Sequence, residues 1–227
     1  MKCERIPDSV HGGGAGDRRR EPRQVTIMRV ARIVGPERQE LCLVRNLSAN
    51  GLQARVYRAR HAGDVVDVEF KCGQILRGTV AWTRGFIIGV RFHAPADLEG
   101  LLESRWAGEA MFTPPRPVRV NVHVFGILRI GAHRHAVRVH DISQGGAKLA
   151  LGELIERGPA VLTLPGLPHL QGTIRWQRNE LAGIAFNEPV AVGLLANWIE
   201  ERQSRGLRLC GSGQAPATDR PALRAGA

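Results

Sequence analysis

Val80-Ala-Trp-Thr-Arg-Gly-Phe-Ile-Ile-Gly-Val-Arg-Phe92 returns 94 positions later as Ile174-Arg-Trp-Gln-Arg-Asn-Glu-Leu-Ala-Gly-Ile-Ala-Phe186, with Trp82/Trp176, Gly89/Gly183 and Phe92/Phe186 identical. A second stretch behaves alike. Val44-Arg-Asn-Leu-Ser-Ala-Asn-Gly51 matches Val139-His-Asp-Ile-Ser-Gln-Gly-Gly146, displaced by 95 positions. Each copy ends in a proline and then helical spacing: Pro95 precedes Leu98, Leu101, Leu102 and Trp106, and Pro189 precedes Val192, Leu195 and Ile199. Blocks that keep their order, spacing and terminal helix amount to a duplicated domain.

Within each copy the apolar residues alternate with period two, as in half-buried strands: Val25 and Ile27, Leu41 and Leu43, Val66 with Val68 and Phe70, Ile88 with Val90 and Phe92. Gly35-Pro36, Gly63-Asp64 and Arg84-Gly85 separate them at hairpin distances. Five or six short strands closed by one helix describe a small antiparallel barrel, since so few strands would otherwise leave two open edges. Trp82 and Trp176 stand in these apolar strands and are expected to fill the core. The boundaries follow from composition. Residues 1–17, with Gly12-Gly13-Gly14, are expected to form a disordered arm. The first domain spans 18–107, a linker with Pro114, Pro115 and Pro117 covers 108–117, the second domain spans 115–203, and 206–227 is expected to be a disordered tail.

The bulk chemistry narrows the function. Thirty-two Lys and Arg against 21 Asp and Glu leave a formal charge of +11, almost all of the cation being arginine. That points to an anionic partner, because the planar guanidinium fork grips phosphate and stacks on bases. No run approaches the ~20 apolar residues of a membrane helix. The start of the chain shows no apolar signal segment. Cys3, Cys42, Cys72 and Cys210 are scattered without a C-x-x-C pair, so neither a disulfide framework nor a zinc site is expected, and a reducing cytoplasm is the natural compartment. His133, His135 and His140 lack a complete tetrahedral ligand set, so no metal is expected. No P-loop, nucleophile elbow or H-E-x-x-H stands in the chain, which argues against an enzyme.

Two local motifs carry the chemistry. Asp17-Arg-Arg-Arg-Glu-Pro-Arg23 opens the first copy and contains Arg19-x-x-x-Arg23. Asn46-x-Ser48-x-x-Gly51 ends a strand one hairpin later, so antiparallel pairing could bring the two together at one barrel edge. The second motif is also an ordinary turn sequence, with Asx and Ser bonding nearby backbone. Taken with the V-x-W and G-V-x-F strands, the pair resembles PilZ domains. The likeness covers roughly 18–107 and, more loosely, 115–203. It implies six-stranded barrels, and PilZ domains with both motifs bind the bacterial second messenger cyclic di-GMP. On that likeness Arg19 and Arg23 would hold phosphate and guanine, with Arg18 and Arg20 adding phosphate contacts. Asn46 would accept from guanine N–H groups where many relatives have Asp, Ser48 would bond base or phosphate, and Gly51 would supply a left-handed bend or a close approach to ligand.

The second copy departs from this pattern. Asp141-x-Ser143-x-x-Gly146 is intact, but the opening reads Arg116-Pro-Val-Arg119, one residue too short. Arg116, Arg119, Asp141, Ser143 and Gly146 therefore read as a vestigial site, leaving the copy for packing, dimerisation or display of a partner surface. The expected function is a cytoplasmic cyclic di-GMP receptor. It would need no cofactor, bind through the first domain, and relay the event to a protein effector by ordering of the N-terminal arm and an inter-domain change. The alternative is a protein–protein adaptor that binds no nucleotide. Nucleic acid ranks low, because the chain has one Tyr, six Phe and four Trp, mostly at core-like positions.

Overall fold

The computed structural model describes residues 25–35, 38–71, 73–103 and 117–211. The first unit comprises β1 (Val25–Val34), β2 (Gln39–Ser48), β3 (Gly51–Arg55), β4 (Val65–Glu69), β5 (Ile75–Arg84), β6 (Ile87–Phe92) and α1 (Leu98–Glu103). The second repeats it as β7 (Val120–Ile130), β8 (His133–Ser143), β9 (Gly146–Ala150), β10 (Pro159–Thr163), β11 (Leu170–Arg178), β12 (Leu181–Phe186) and α2 (Val192–Gly211). Each unit is a closed six-stranded antiparallel barrel, ordered β1-β2-β3-β6-β5-β4 and β7-β8-β9-β12-β11-β10. Pairing of β4 with β1, and of β10 with β7, removes the free edges. The expected fold class holds.

The duplication extends to irregularities that periodicity does not reveal. Bulges interrupt the ladders between Thr26 and Arg29, between Val44 and Asn46, and between Val80 and Trp82. They recur between Asn121 and Val124, Val139 and Asp141, and Ile174 and Trp176. A bulge adds one residue and reverses the alternation beyond it. On β2 this lets Val44 and Leu47 both enter the core and re-aims Asn46. On β5 it turns Trp82 outward, so the expectation of a core tryptophan is corrected. The indole is 37% exposed and lies flat over Gly89, where an added Cβ would stand 2.2 Å from it. Trp176 covers Gly183 in the same way, at 2.1 Å. The identical Trp/Gly pairs of the two copies are thus stacked contacts on the outside of the barrels.

α1 closes the first barrel with Leu101 buried, and α2 does more. Leu195, Ala196, Trp198 and Ile199 of α2 join the second barrel's core, and so does Leu41 of β2, from the first barrel. Val30 and Tyr57 pack against the same cluster. The helix therefore binds the barrels to one another, and Arg38 Nη1 meets Glu200 Oε1 at 3.4 Å while Gln203 Nε2 donates to the Gln39 carbonyl at 2.9 Å. α2 runs to Gly211, into the stretch expected to be tail from residue 206. A helical glycine costs only about 1 kcal/mol, and helix-forming Leu207, Arg208 and Leu209 follow Gly206. Among the described residues no helix is long and apolar enough to cross a membrane.

Candidate ligand-binding edges

Both [D/N]-x-S-x-x-G motifs are hairpins between the second and third strands of their barrels. Ser48 pairs with Gly51, and its Oγ donates to the Gly51 carbonyl at 3.1 Å. Ser143 and Gly146 repeat the bond at 3.1 Å, with Ser143 fully buried. Neither glycine has a positive φ, so the expected left-handed bend is absent. What demands glycine is a neighbouring strand. A Cβ on Gly51 would stand 2.3 Å from the Val90 carbonyl oxygen, and one on Gly146 would stand 2.3 Å from that of Ile184.

The bulge places the Asx residue at the centre of a lateral row. In the first barrel Asn46 lies between Thr26 and Gln53, and its Nδ2 donates to Gln53 Oε1 at 2.5 Å. Gln53 in turn faces Gly89, over which Trp82 lies, with the Arg84 guanidinium 5.4 Å from the indole centroid. In the second barrel Asp141 lies between Asn121 and Lys148, and Lys148 faces Gly183 beneath Trp176. The chemistry at the two centres differs. Asp141 is buried and takes Arg119 Nη1 at 2.6 Å and Lys148 Nζ at 3.4 Å, so an ion cluster occupies the place of the first barrel's neutral amide pair. Next to it, burial and the neighbouring charges of Arg138 and Lys148 hold the His140 imidazole below its ordinary range.

Gln53 and Lys148 were missed in the sequence. Their signal was there: a two-residue turn after the serine puts the residue two beyond the motif glycine opposite the Asx position. Register also reassigns Arg119. Val25 pairs with Leu47 as Val120 pairs with Ile142, so Arg119 corresponds to Gln24 and not to Arg23. Arg18, Arg19, Arg20, Arg23 and Arg116 lie outside the described residues.

The second motif edge also adjoins the first barrel. Arg32 Nη1 donates to the Arg119 carbonyl at 2.9 Å and to Gln39 Oε1 at 2.9 Å, and Gln39 Oε1 accepts from the Asn121 N–H at 3.0 Å. Arg32 is itself paired with Glu69 at 2.5 Å. Among the described residues no cluster of His, Cys, Asp or Glu could hold a metal ion.

Two closed six-stranded antiparallel barrels in tandem, each with its Asx-x-Ser-x-x-Gly hairpin at the mouth of the first strand, define the class of protein. The sequence profile of the PilZ domain matches residues 17–104 and again 115–201, and the chain belongs to the PilZ domain family. Among solved structures it is similar to the PlzA protein of Borreliella burgdorferi in complex with c-di-GMP, at 9% identity over 78% of this chain and 93% of that one, with a TM-score of 0.38. It is similar also to YcgR of Escherichia coli in complex with c-di-GMP, at 13% identity over 81% and 87%, with a TM-score of 0.28. MrkH of K. pneumonia in its c-di-GMP complex aligns at 11% identity over 81% and 89%, with a TM-score of 0.28. No curated protein matches the chain.

Proposed function

We propose that this protein is a receptor for cyclic di-GMP, and that the first barrel takes up the ligand at the edge formed by Asn46, Ser48 and Gly51. The reading rests on membership of a family whose domains with both motifs bind this nucleotide. The observation that favours the first barrel is the difference at the Asx position. Asp141 already engages Arg119 and Lys148, so the second barrel's nearest cations serve an internal carboxylate. Asn46 carries no charge, and among the described residues its side chain bonds another amide, that of Gln53. It leaves the arginines of the opening stretch to a dianionic ligand. Covalent continuity supports the same choice: Arg23 is two residues from Val25, about 7 Å of chain at most, and Val25 pairs with Leu47.

In this reading Arg19 and Arg23 fork onto phosphate and guanine, Arg18 and Arg20 add phosphate contacts, and Asn46 and Ser48 bond a guanine edge. Closing of the opening stretch over the edge is the event passed on, and Arg32 and α2 carry it to the second barrel and a protein effector. Calorimetric titration of the full chain with cyclic di-GMP, with GTP and linear pGpG as controls, tests this. A charge-assisted hydrogen bond contributes roughly 1.5–3 kcal/mol, so Arg23→Ala should weaken binding about ten- to a hundredfold. Arg119→Ala should leave the affinity close to that of the unchanged chain. Equal losses in both variants would refute the choice of barrel.

A further inference from the structure

The repeat has a second consequence, on the face of the barrel away from the motif row. In the first barrel Leu41 and Tyr57 receive α2, with Ala196 and Ile199 against them, Val30 packs against the same cluster, and Tyr57 lies 3.8 Å from where a Cβ on Gly193 would stand. The strand register carries these three positions, displaced by 95, onto Phe125, Ala136 and Gly152 of the second barrel. There no described element covers them. Phe125 is 72% exposed and neighbouring Ile127 is 44% exposed. Alanine for Leu41 and glycine for Tyr57 remove two large side chains, and the result is a groove of about 820 Å³ lined by Phe125, Ala136, Arg138, Gly152 and Leu181.

The polar positions at the end of the groove correspond as well. The residues that latch α2 onto the first barrel, Arg38 to Glu200 and the Gln39 carbonyl to Gln203, have His133 and Arg134 as counterparts. Arg129 and Arg138 are exposed on the same two strands, Glu180 lines the groove, and Glu153 pairs with His135 beside it. A helix laid as α2 lies would therefore bring an acidic residue to His133 and Arg134. Gly193, at Tyr57, and Glu200, at Arg38, are seven residues apart, about 10.5 Å along the helix.

We propose that this groove is a docking site for an amphipathic helix of a partner protein, with a large apolar side chain at the position of Gly193 and an acidic residue seven positions later. A second copy of the chain does not supply it from α2, whose apolar stripe is already buried in its own two barrels.

The probe is a fluorescein-labelled peptide of residues 189–204 carrying Gly193→Leu, titrated onto the full chain. Saturable binding is expected, with amide shifts in the 15N-labelled chain at Phe125, Ala136 and Gly152. Phe125→Asp should weaken it at least about tenfold, and Gly152→Tyr, which restores the ring present in the first barrel, should do the same. Glu200→Lys in the peptide should weaken it as well. Three results would overturn the proposal: no binding; shifts centred on Val30, Leu41 and Tyr57, meaning that the peptide displaces α2; or a dimer in analytical ultracentrifugation that Phe125→Asp dissolves.

Discussion

Leu41→Ala is the sharpest test of how the two barrels are joined. Leu41 belongs by sequence to the first barrel, is 1% exposed, and packs in the second barrel's core against α2. Removing a buried leucine side chain costs about 2–5 kcal/mol, more where the site cannot collapse. Val30 and Tyr57 border the position and are only partly buried, so they can relax into the space, which places the loss near the lower end, about 2–3 kcal/mol. A chain of this size loses about 2–4 °C of Tm per kcal/mol, so the expected drop is roughly 5–10 °C. Stability alone does not locate the effect, and a double-mutant cycle does. Urea unfolding of Leu41→Ala, Ile199→Ala and the double variant should give a coupling of about 0.5–3 kcal/mol, as for residues in contact. Leu47 is equally buried but lies in the first barrel's own core, so Leu47→Ala with Ile199→Ala should be additive. Additivity in both cycles, or a loss below about 1 kcal/mol for Leu41→Ala, would refute the shared helix.

Other outcomes follow from the same geometry. Cyclic di-GMP, but not GTP, should slow trypsin cleavage after Arg18, Arg19 and Arg20 in the full chain, and equal rates with and without the nucleotide would remove the proposed closing step. Gly146→Ala should destabilise by about 1–3 kcal/mol in urea, because its Cβ meets the Ile184 carbonyl at 2.3 Å. Gly152→Ala, with nothing within 4 Å, should change stability by less than about 0.5 kcal/mol. Burial, reinforced by the Glu40 charge, pushes the Cys42 thiol up to about 12. An unfolded thiol titrates near about 8.5, so the Cys42 contribution is complete below that pH and is lost as pH rises toward 12. Urea midpoints between pH 7 and 10.5 should therefore fall more steeply for the native chain than for Cys42→Ala, and parallel curves would contradict this.

The barrels were legible because their strand blocks recur at a fixed displacement and their apolar residues alternate. What alternation could not show is where it breaks. Trp82 follows Val80 by two residues and reads as its core neighbour, yet the bulge between them turns it outward over Gly89. Asn46 is re-aimed by the same device, so the motif was readable as a motif while its partner Gln53 was not. Arg119 read as a spacing failure in the arginine motif. The structure makes it the counter-ion of a buried Asp141, a long-range pairing that depends on register. Leu41 carried no mark at all of serving the other barrel, since a strand residue that faces a helix looks like any other apolar residue. Gly51 was recognised as required, but the cause is a carbonyl of β6 and not a turn.

The central claim is that the first barrel, and not the second, receives cyclic di-GMP at its Asx-x-Ser-x-x-Gly edge. Titrating the nucleotide into the 15N-labelled full chain tests it most directly, because both edges report in the same spectrum. Saturable shifts at Asn46, Ser48, Gly51 and Gln53, with Asp141, Ser143, Gly146 and Lys148 little changed, are the result predicted. Shifts confined to Asp141, Ser143, Gly146 and Lys148, or none at either edge at saturating nucleotide, would contradict it.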